Sequence, residues 1–307
     1  MGETPIIVKV LLMGLMITLY SFQSFCCKKY TDHYPGKPSL ASPVFTAVSG
    51  ITVAFISLCF MGFRFEAEWR TLLLGALNAA AITGYNYFMV KCSQSGPYTI
   101  LMVFAIAGGI VVPTLAALIG FGVGLSWLKW IGVAVVIGGV YLASYRKNEG
   151  AVNFKVFIPC CIGLALCNGA YAALTDIQQR LSGADEKEEM VCITYFLAAI
   201  ASLVMILIRE RGSLKCFGQN KLSLTFLLIT SVIVGLAINL LVIVIAILND
   251  ITLLHTLNNS GILIVSAILS FIFLKEKITR LNILGYAVMC AALVLVTFGD
   301  TFVALMG

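Results

Sequence analysis

The stretch Ile251–Val296, ITLLHTLNNSGILIVSAILSFIFLKEKITRLNILGYAVMCAALVLV, decides the class of this chain. It reads as two apolar helices of membrane-spanning length, joined by the short charged turn Lys275-Glu276-Lys277-Ile278-Thr279-Arg280. The first of the two carries Thr252, His255, Asn258, Asn259, Ser266 and Ser270. At 3.6 residues per turn Thr252, His255 and Asn259 share one face, with Ser266 and Ser270 further along it. An amide or imidazole left unpaired in hydrocarbon costs on the order of a few kcal/mol. The stripe is therefore expected to face other helices or a wet cavity, not lipid.

The rest of the chain has the same character. Of 307 residues, 60% are hydrophobic and only 11% are charged, more apolar surface than one soluble fold can hide. The expected fold class is an all-α integral membrane protein. Runs of about 20 apolar residues fall near 6–26, 41–61, 71–91, 97–119, 126–144, 154–180, 189–208, 222–248, 252–274 and 281–304, giving about ten spans. The longest connections are then 26–40, 181–188 and 209–221. The first run, Ile6 to Phe25, lacks a basic leading segment beyond Lys9, and Cys26-Cys27-Lys28-Lys29 stands where a cleavage site would need small residues, so it reads as a retained helix. The cysteines show no zinc spacing. Cys59, Cys160, Cys161, Cys167, Cys192 and Cys290 fall inside spans, where a thiol packs as a small apolar group. Nothing in the sequence supports lipidation of Cys26-Cys27.

An internal repeat organises these spans. Shifted by 153 positions, LSWLKWIGVAVVIGGVYL (Leu125–Leu142) lies on ITRLNILGYAVMCAALVL (Ile278–Leu295) without a gap. Gly132 falls on Gly285, Gly108 on Gly261 and Asn86 on Asn239. Small residues at matched places let helix backbones approach where the hydrophobic effect is absent. Two halves of five helices are expected, 1–148 and 149–307. An odd number of spans per half sets the halves in opposite senses across the membrane, the inverted-repeat plan of secondary transporters. Gly120 and Gly124 have GxxxG spacing, expected to serve internal packing.

The segment FLKEKITRLNILGYAVMCAALVLV, with Glu276, Thr279 and Gly285, resembles the closing signature of the EamA-like branch of the drug/metabolite transporter superfamily. The resemblance implies ten helices around a central cavity that opens to either side in turn, and termini in the cytoplasm. It implies no single substrate, since members move chemically diverse metabolites. The first half departs from the pattern, because Val123 occupies the place of a Glu opposite Glu276.

Candidate solute-binding residues follow from polar stripes on otherwise apolar helices. Gln23 follows Tyr20 by three positions on the first span; Asn78, Tyr85 and Asn86 share a face of the third; Asn168, Tyr171, Thr175 and Gln179 form a stripe on the sixth. Asn239 on the eighth and His255, Asn258 and Asn259 on the ninth complete the set. Each amide taken alone can be spent on interhelical hydrogen bonding. His255 is either a proton carrier or a satisfied neutral imidazole. Asp176 and Asp250 sit toward helix ends, Asp250 in an N-cap position. With no acid near mid-membrane, a neutral, zwitterionic or weakly charged polar solute is expected over a bulky cation. Lys91, one turn from Tyr87, is expected to snorkel to the interface.

Three function classes were weighed. A solute carrier fits the repeat and the stripes. An intramembrane enzyme does not, because the sequence has neither HExxH nor GxSxG, so no catalytic residues, metal ligands or cofactors are expected. A channel or a membrane scaffold is the alternative; a channel calls for a filter-like ring, and a scaffold has no use for amides on five helices. The expected partners are a small-molecule solute and the lipid bilayer, with no nucleic acid, as monomer or homodimer, in the cell (inner) membrane. With ten spans, fourteen of the twenty basic residues lie on the side opposite the termini. The positive-inside rule thus sets the termini outside, against the cytoplasmic termini that the resemblance implies, and the sequence leaves their side open.

Overall fold

The computed structural model describes residues 6–122, 126–144, 154–182, 186–209, 220–248, 251–276 and 279–306. They form ten α-helices: α1 (Ile6–Asp32), α2 (Pro38–Phe60), α3 (Trp69–Ser95), α4 (Tyr98–Phe121), α5 (Trp127–Ser144), α6 (Phe154–Ser182), α7 (Lys187–Arg209), α8 (Lys221–Leu248), α9 (Ile251–Leu269) and α10 (Arg280–Met306). A five-residue π turn, Ser270–Leu274, extends α9. No strand occurs among the described residues. Eight helices are long and apolar enough to cross a membrane, and their outward faces carry exposed Leu, Ile and Phe side chains that water would not tolerate in such number. The protein is an all-α, multi-pass membrane protein.

The helix ends have local causes. Pro38 opens α2, where its missing N–H is no loss. Gly122 closes α4 at φ +62°, a left-handed conformation that costs glycine little. Thr279 and Asn282 cap α10 reciprocally: Thr279 N and Oγ1 donate to Asn282 Oδ1 (2.9 and 2.8 Å), and Asn282 N donates to Thr279 Oγ1 (3.3 Å). The first connection is shorter than expected. Residues 26–32 continue α1 instead of forming a loop, because Lys28 pairs with Asp32 one turn on (3.1 Å) and donates to the Ser93 carbonyl. Tyr30, 1% exposed, also donates to the Ala41 carbonyl (2.8 Å).

Glycines set the helix crossings. A Cβ on Gly108 would collide with the Ala165 backbone of α6, and one on Gly261 would fall 2.6 Å from Ile17 of α1. Gly132 meets Val296 of α10 (2.7 Å), and Gly285 meets the Ala143 backbone of α5. Gly120, by contrast, has open space around it, so it does not serve the internal packing expected of it; Gly124 lies outside the described residues. Closely packed pairs are α5–α10, α2–α7, α4–α6, α3–α6, α1–α8, α2–α8, α3–α7, α1–α9, α1–α3, α9–α10, α4–α5, α2–α3, α4–α9, α3–α4, α8–α9 and α7–α8. The main buried cluster draws on all ten helices, most heavily on α1–α4, α6 and α10, and includes Tyr30, Tyr98, Phe157 and Leu263. Cys26 and Cys27 are buried in it, which closes them to lipidation in this fold.

The two ends of the bundle differ in charge. Lys28, Lys29, Lys37, Lys155, Lys221, Lys275 and Arg280 lie at the end reached by the C-terminus of α1, which we call the basic end. Glu66, Glu68, Glu186, Glu188, Glu189 and Asp300 lie at the opposite, amino-terminal end.

Candidate functional site

The polar stripes face inward. On α1 the exposed apolar residues Leu11, Leu15 and Phe22 mark the outer face, and Tyr20 and Gln23 project from the other side, partly accessible. On α6 Ile162 and Leu166 face outward, while Asn168, Tyr171 and Thr175 are partly accessible on the opposite face. On α9 Leu257, Ile264 and Ile268 are exposed, and Asn259 is partly accessible across the helix from Leu257. These helices thus turn an apolar face outward and a polar, partly accessible face toward the other helices. Tyr20 packs at the margin of three buried clusters at once, and Tyr85 at the margin of two of them.

Not every predicted residue is available to a solute. Asn168 Nδ2 donates to the Ala105 carbonyl of α4 (2.7 Å), so one end of this amide anchors the α4–α6 crossing. Asn239, 2% exposed, donates to the Gly235 carbonyl of its own helix (2.8 Å) and to Ser57 Oγ of α2 (3.2 Å). Asn78, 1% exposed, donates to Thr175 Oγ1 (3.4 Å), and Asn86 is buried beside it on α3. Asn258 is buried. Four side-chain oxygens, Gln23 Oε1, Asn78 Oδ1, Asn239 Oδ1 and Asn258 Oδ1, are buried without a hydrogen-bond partner. A carbonyl oxygen in that position has lost its water and gained nothing, at a cost of about 1–3 kcal/mol each. His255 belongs to α9, but its side chain, with that of Thr252, lies outside the described residues, as does Asp250. Lys91 reaches Tyr87 Oη on the exposed side of α3 (3.3 Å), in keeping with an interfacial cation.

Several residues at the site are missed by the sequence. Tyr195 of α7 is 4% exposed, packs with Val53, Ile82 and Ile238, and comes within reach of the Tyr171 hydroxyl. It is a single tyrosine in an apolar helix, and periodicity gives no sign of it. On α6 the polar groups include Gln178, which the sequence reading did not single out; the side chain of Gln179 lies outside the described residues. Gln178 is fully buried, with both amide atoms unpaired. Tyr98, at the start of α4, donates to the Ser21 carbonyl of α1 (3.3 Å) and to Ser266 Oγ of α9 (3.4 Å). A shallow cleft lined by Tyr30, Tyr34, Asn220 and Leu227 lies at the basic end between α1, α2 and α8, away from the stripes.

No family model and no curated protein matches the chain. The fold is known nonetheless. A solved structure described only as "Crystal structure of protein" superimposes with a TM-score of 0.67 at 14% identity, covering 96% of this chain and 98% of the other. At that identity the likeness is one of fold over the full length of both chains.

Proposed function

We propose that the chain is a secondary transporter of the EamA-like, drug/metabolite type, built of two inverted five-helix repeats that carry a small polar metabolite through a central cavity by alternating access. One observation carries the proposal. Adding or subtracting five from each helix number turns the set of packed pairs into itself: α3–α6 becomes α8–α1, α4–α6 becomes α9–α1, α2–α8 becomes α7–α3 and α4–α5 becomes α9–α10, while α5–α10, α2–α7 and α4–α9 map onto themselves. One pair breaks the rule. α1 packs on α3, but α6 and α8 do not pack to a comparable extent among the described residues. A repeat kept everywhere except at one helix pair is what a transporter resting in one of two mirror-related states requires.

The chemistry of the inner faces supports a neutral or zwitterionic solute rich in N–H or O–H groups. Among the described residues on the polar stripes, the unpaired buried atoms include the amide oxygens of Gln23, Asn78, Gln178, Asn239 and Asn258, and an amide oxygen can only accept. Asn168 and Asn239 read best as residues that brace the site, with Gln23, Tyr20, Tyr85, Tyr171, Asn258 and Asn259 nearest the solute. The test is a thermal-shift screen of detergent-purified protein against amino acids, nucleosides, nucleotide sugars, quaternary amines and sugar phosphates, followed by tracer uptake into proteoliposomes. A ligand at a hundred times its dissociation constant adds about 2.7 kcal/mol to apparent stability. One chemical class is expected to stabilise the protein and to be taken up saturably. Stabilisation by none of them, with ion conductance in planar bilayers, would favour a channel instead.

A further inference from the structure

We infer that the Glu276 carboxylate is a clasp that holds the basic end of the bundle shut, so that the solute pathway rests open toward the amino-terminal end. The inference rests on the transporter reading for its meaning, and on separate observations for its support. The π turn Ser270–Leu274 ends in Lys275 at φ +54°, and Glu276 N donates back to the Ser270 carbonyl (3.3 Å). This sharp finish turns the chain away from the axis of α9 and sets the Glu276 side chain at the start of α4.

There the carboxylate accepts three hydrogen bonds: from Tyr98 N (2.6 Å), Thr99 N (3.3 Å) and Thr99 Oγ1 (2.8 Å). The first amides of a helix have no intrahelical acceptor, and Pro97 at the cap position supplies no side-chain bond. An anion at that place meets both unpaired donors and the positive end of the helix dipole. An ordinary cap comes from the same chain turn and ties a helix only to itself. This one comes from a residue 178 positions away and ties α4 to α9 across the two halves.

Its neighbours draw in two more helices at the same end. Tyr98 Oη donates to Ser21 of α1 and Ser266 of α9, and Lys28 Nζ of α1 donates to the Ser93 carbonyl of α3. Under the shift of 153, Tyr98 and Thr99 correspond to Ile251 and Thr252 at the start of α9, and Glu276 corresponds to Val123. A valine side chain has no acceptor to offer, so position 123 cannot supply the same clasp to α9. The cross-half carboxylates at the amino-terminal end instead join α10 to the start of α5 (Asp300 accepting from Ser126 N) and Glu186 to the start of α3 (accepting from Glu68 N). The α1–α3 contact, which has no comparable α6–α8 counterpart among the described residues, is tied at the same end by Lys28 and the Ser93 carbonyl.

The test is hydrogen–deuterium exchange of the full-length protein in nanodiscs without solute, comparing wild type with Glu276→Gln and Thr99→Val. In Glu276→Gln, peptides covering residues 97–104 and 266–276 are expected to exchange about tenfold faster, the scale of one charge-assisted hydrogen bond lost. Thr99→Val removes one donor of the three and is expected to give a smaller change in the same peptides. Peptides of α5 and α10 stay as in wild type. Uniform acceleration over all helices, or no change at 97–104 in either variant, would overturn the clasp. The two proposals fail separately. Local loosening in a protein that binds no solute would leave the clasp and remove the transporter, whereas a bound solute with unchanged exchange would do the reverse.

Discussion

Helices α1–α5 and α6–α10 use glycine in the same way where they cross their neighbours. Gly108 accepts α6 and Gly261 accepts α1; Gly132 seats α10 and Gly285 seats α5. The halves part at the basic end, where on the proposed transporter reading the bundle would open. Glu276 grips the start of α4 while Val123 stands in the matching sequence position, and α1 leans on α3 without a comparable α6–α8 contact. Likeness between the halves thus marks the frame, and on the proposed transporter reading their unlikeness is what would set the resting state. An exactly symmetric pair of repeats would have no reason to prefer either opening.

The sharpest way to break this comparison is at the glycines. Gly132→Leu and Gly285→Leu each place a side chain into a backbone-lined crossing, at a cost of about 3 kcal/mol or more. Both are expected to abolish the monodisperse peak on size-exclusion chromatography, and tolerance of one but not the other would undo the equivalence of the two crossings. Next in size are the amides. Asn258→Ala or Asn259→Ala is expected to weaken solute binding about tenfold, or about 1.4 kcal/mol, in a protein that stays monodisperse. Asn168→Ala, which cuts the tie to Ala105, should instead lower the melting temperature by the equivalent of about 0.6 kcal/mol. Unchanged binding in both α9 variants would remove that helix from the site.

A finer comparison lies at the caps of the two partnered helices. Thr279→Ala dismantles the reciprocal cap of α10 and is expected to cost about 1 kcal/mol of thermal stability. Ser126→Ala at the start of α5 should cost less than Thr279→Ala, because Asp300 still accepts from the residue-126 N–H (3.3 Å) and pairs with Lys129. Smallest of all, Lys91→Ala is expected to shift stability by less than about 0.5 kcal/mol, since its bond to Tyr87 is at the surface. A larger loss would mean that Lys91 has work beyond the interface.

The ten helices were legible because lipid leaves a chain no other way to satisfy its backbone, so apolar length alone marks each span. The end of α1 was not. Lys28, Lys29 and Asp32 look like a solvated turn in sequence, and only the partners Ser93 and Ala41 turn them into the last turns of a helix. The inward faces of the stripes were legible through their period, whereas Gln178, fully buried one position before Gln179, was not, since it lies about 100° around α6 from Gln179 and off the spacing of the four polar residues read there. Glu276 stood out as a residue type, yet its acceptor role at Tyr98 and Thr99 depends on a contact between distant halves, which spacing along the chain does not encode.

The glycine-seated pairing of α5 with α10 also constrains how the protein is made. α5 leaves the ribosome with more than a hundred residues still to come, and its closest partner is the last of the described helices to emerge. Until then Gly132 and Gly139 lack Val296 and Met289, the α10 residues that pack on them in the folded protein. The first half therefore waits in the bilayer as an unfinished intermediate, and a ribosome stalled before α10 leaves an orphaned surface for membrane quality control to recognise.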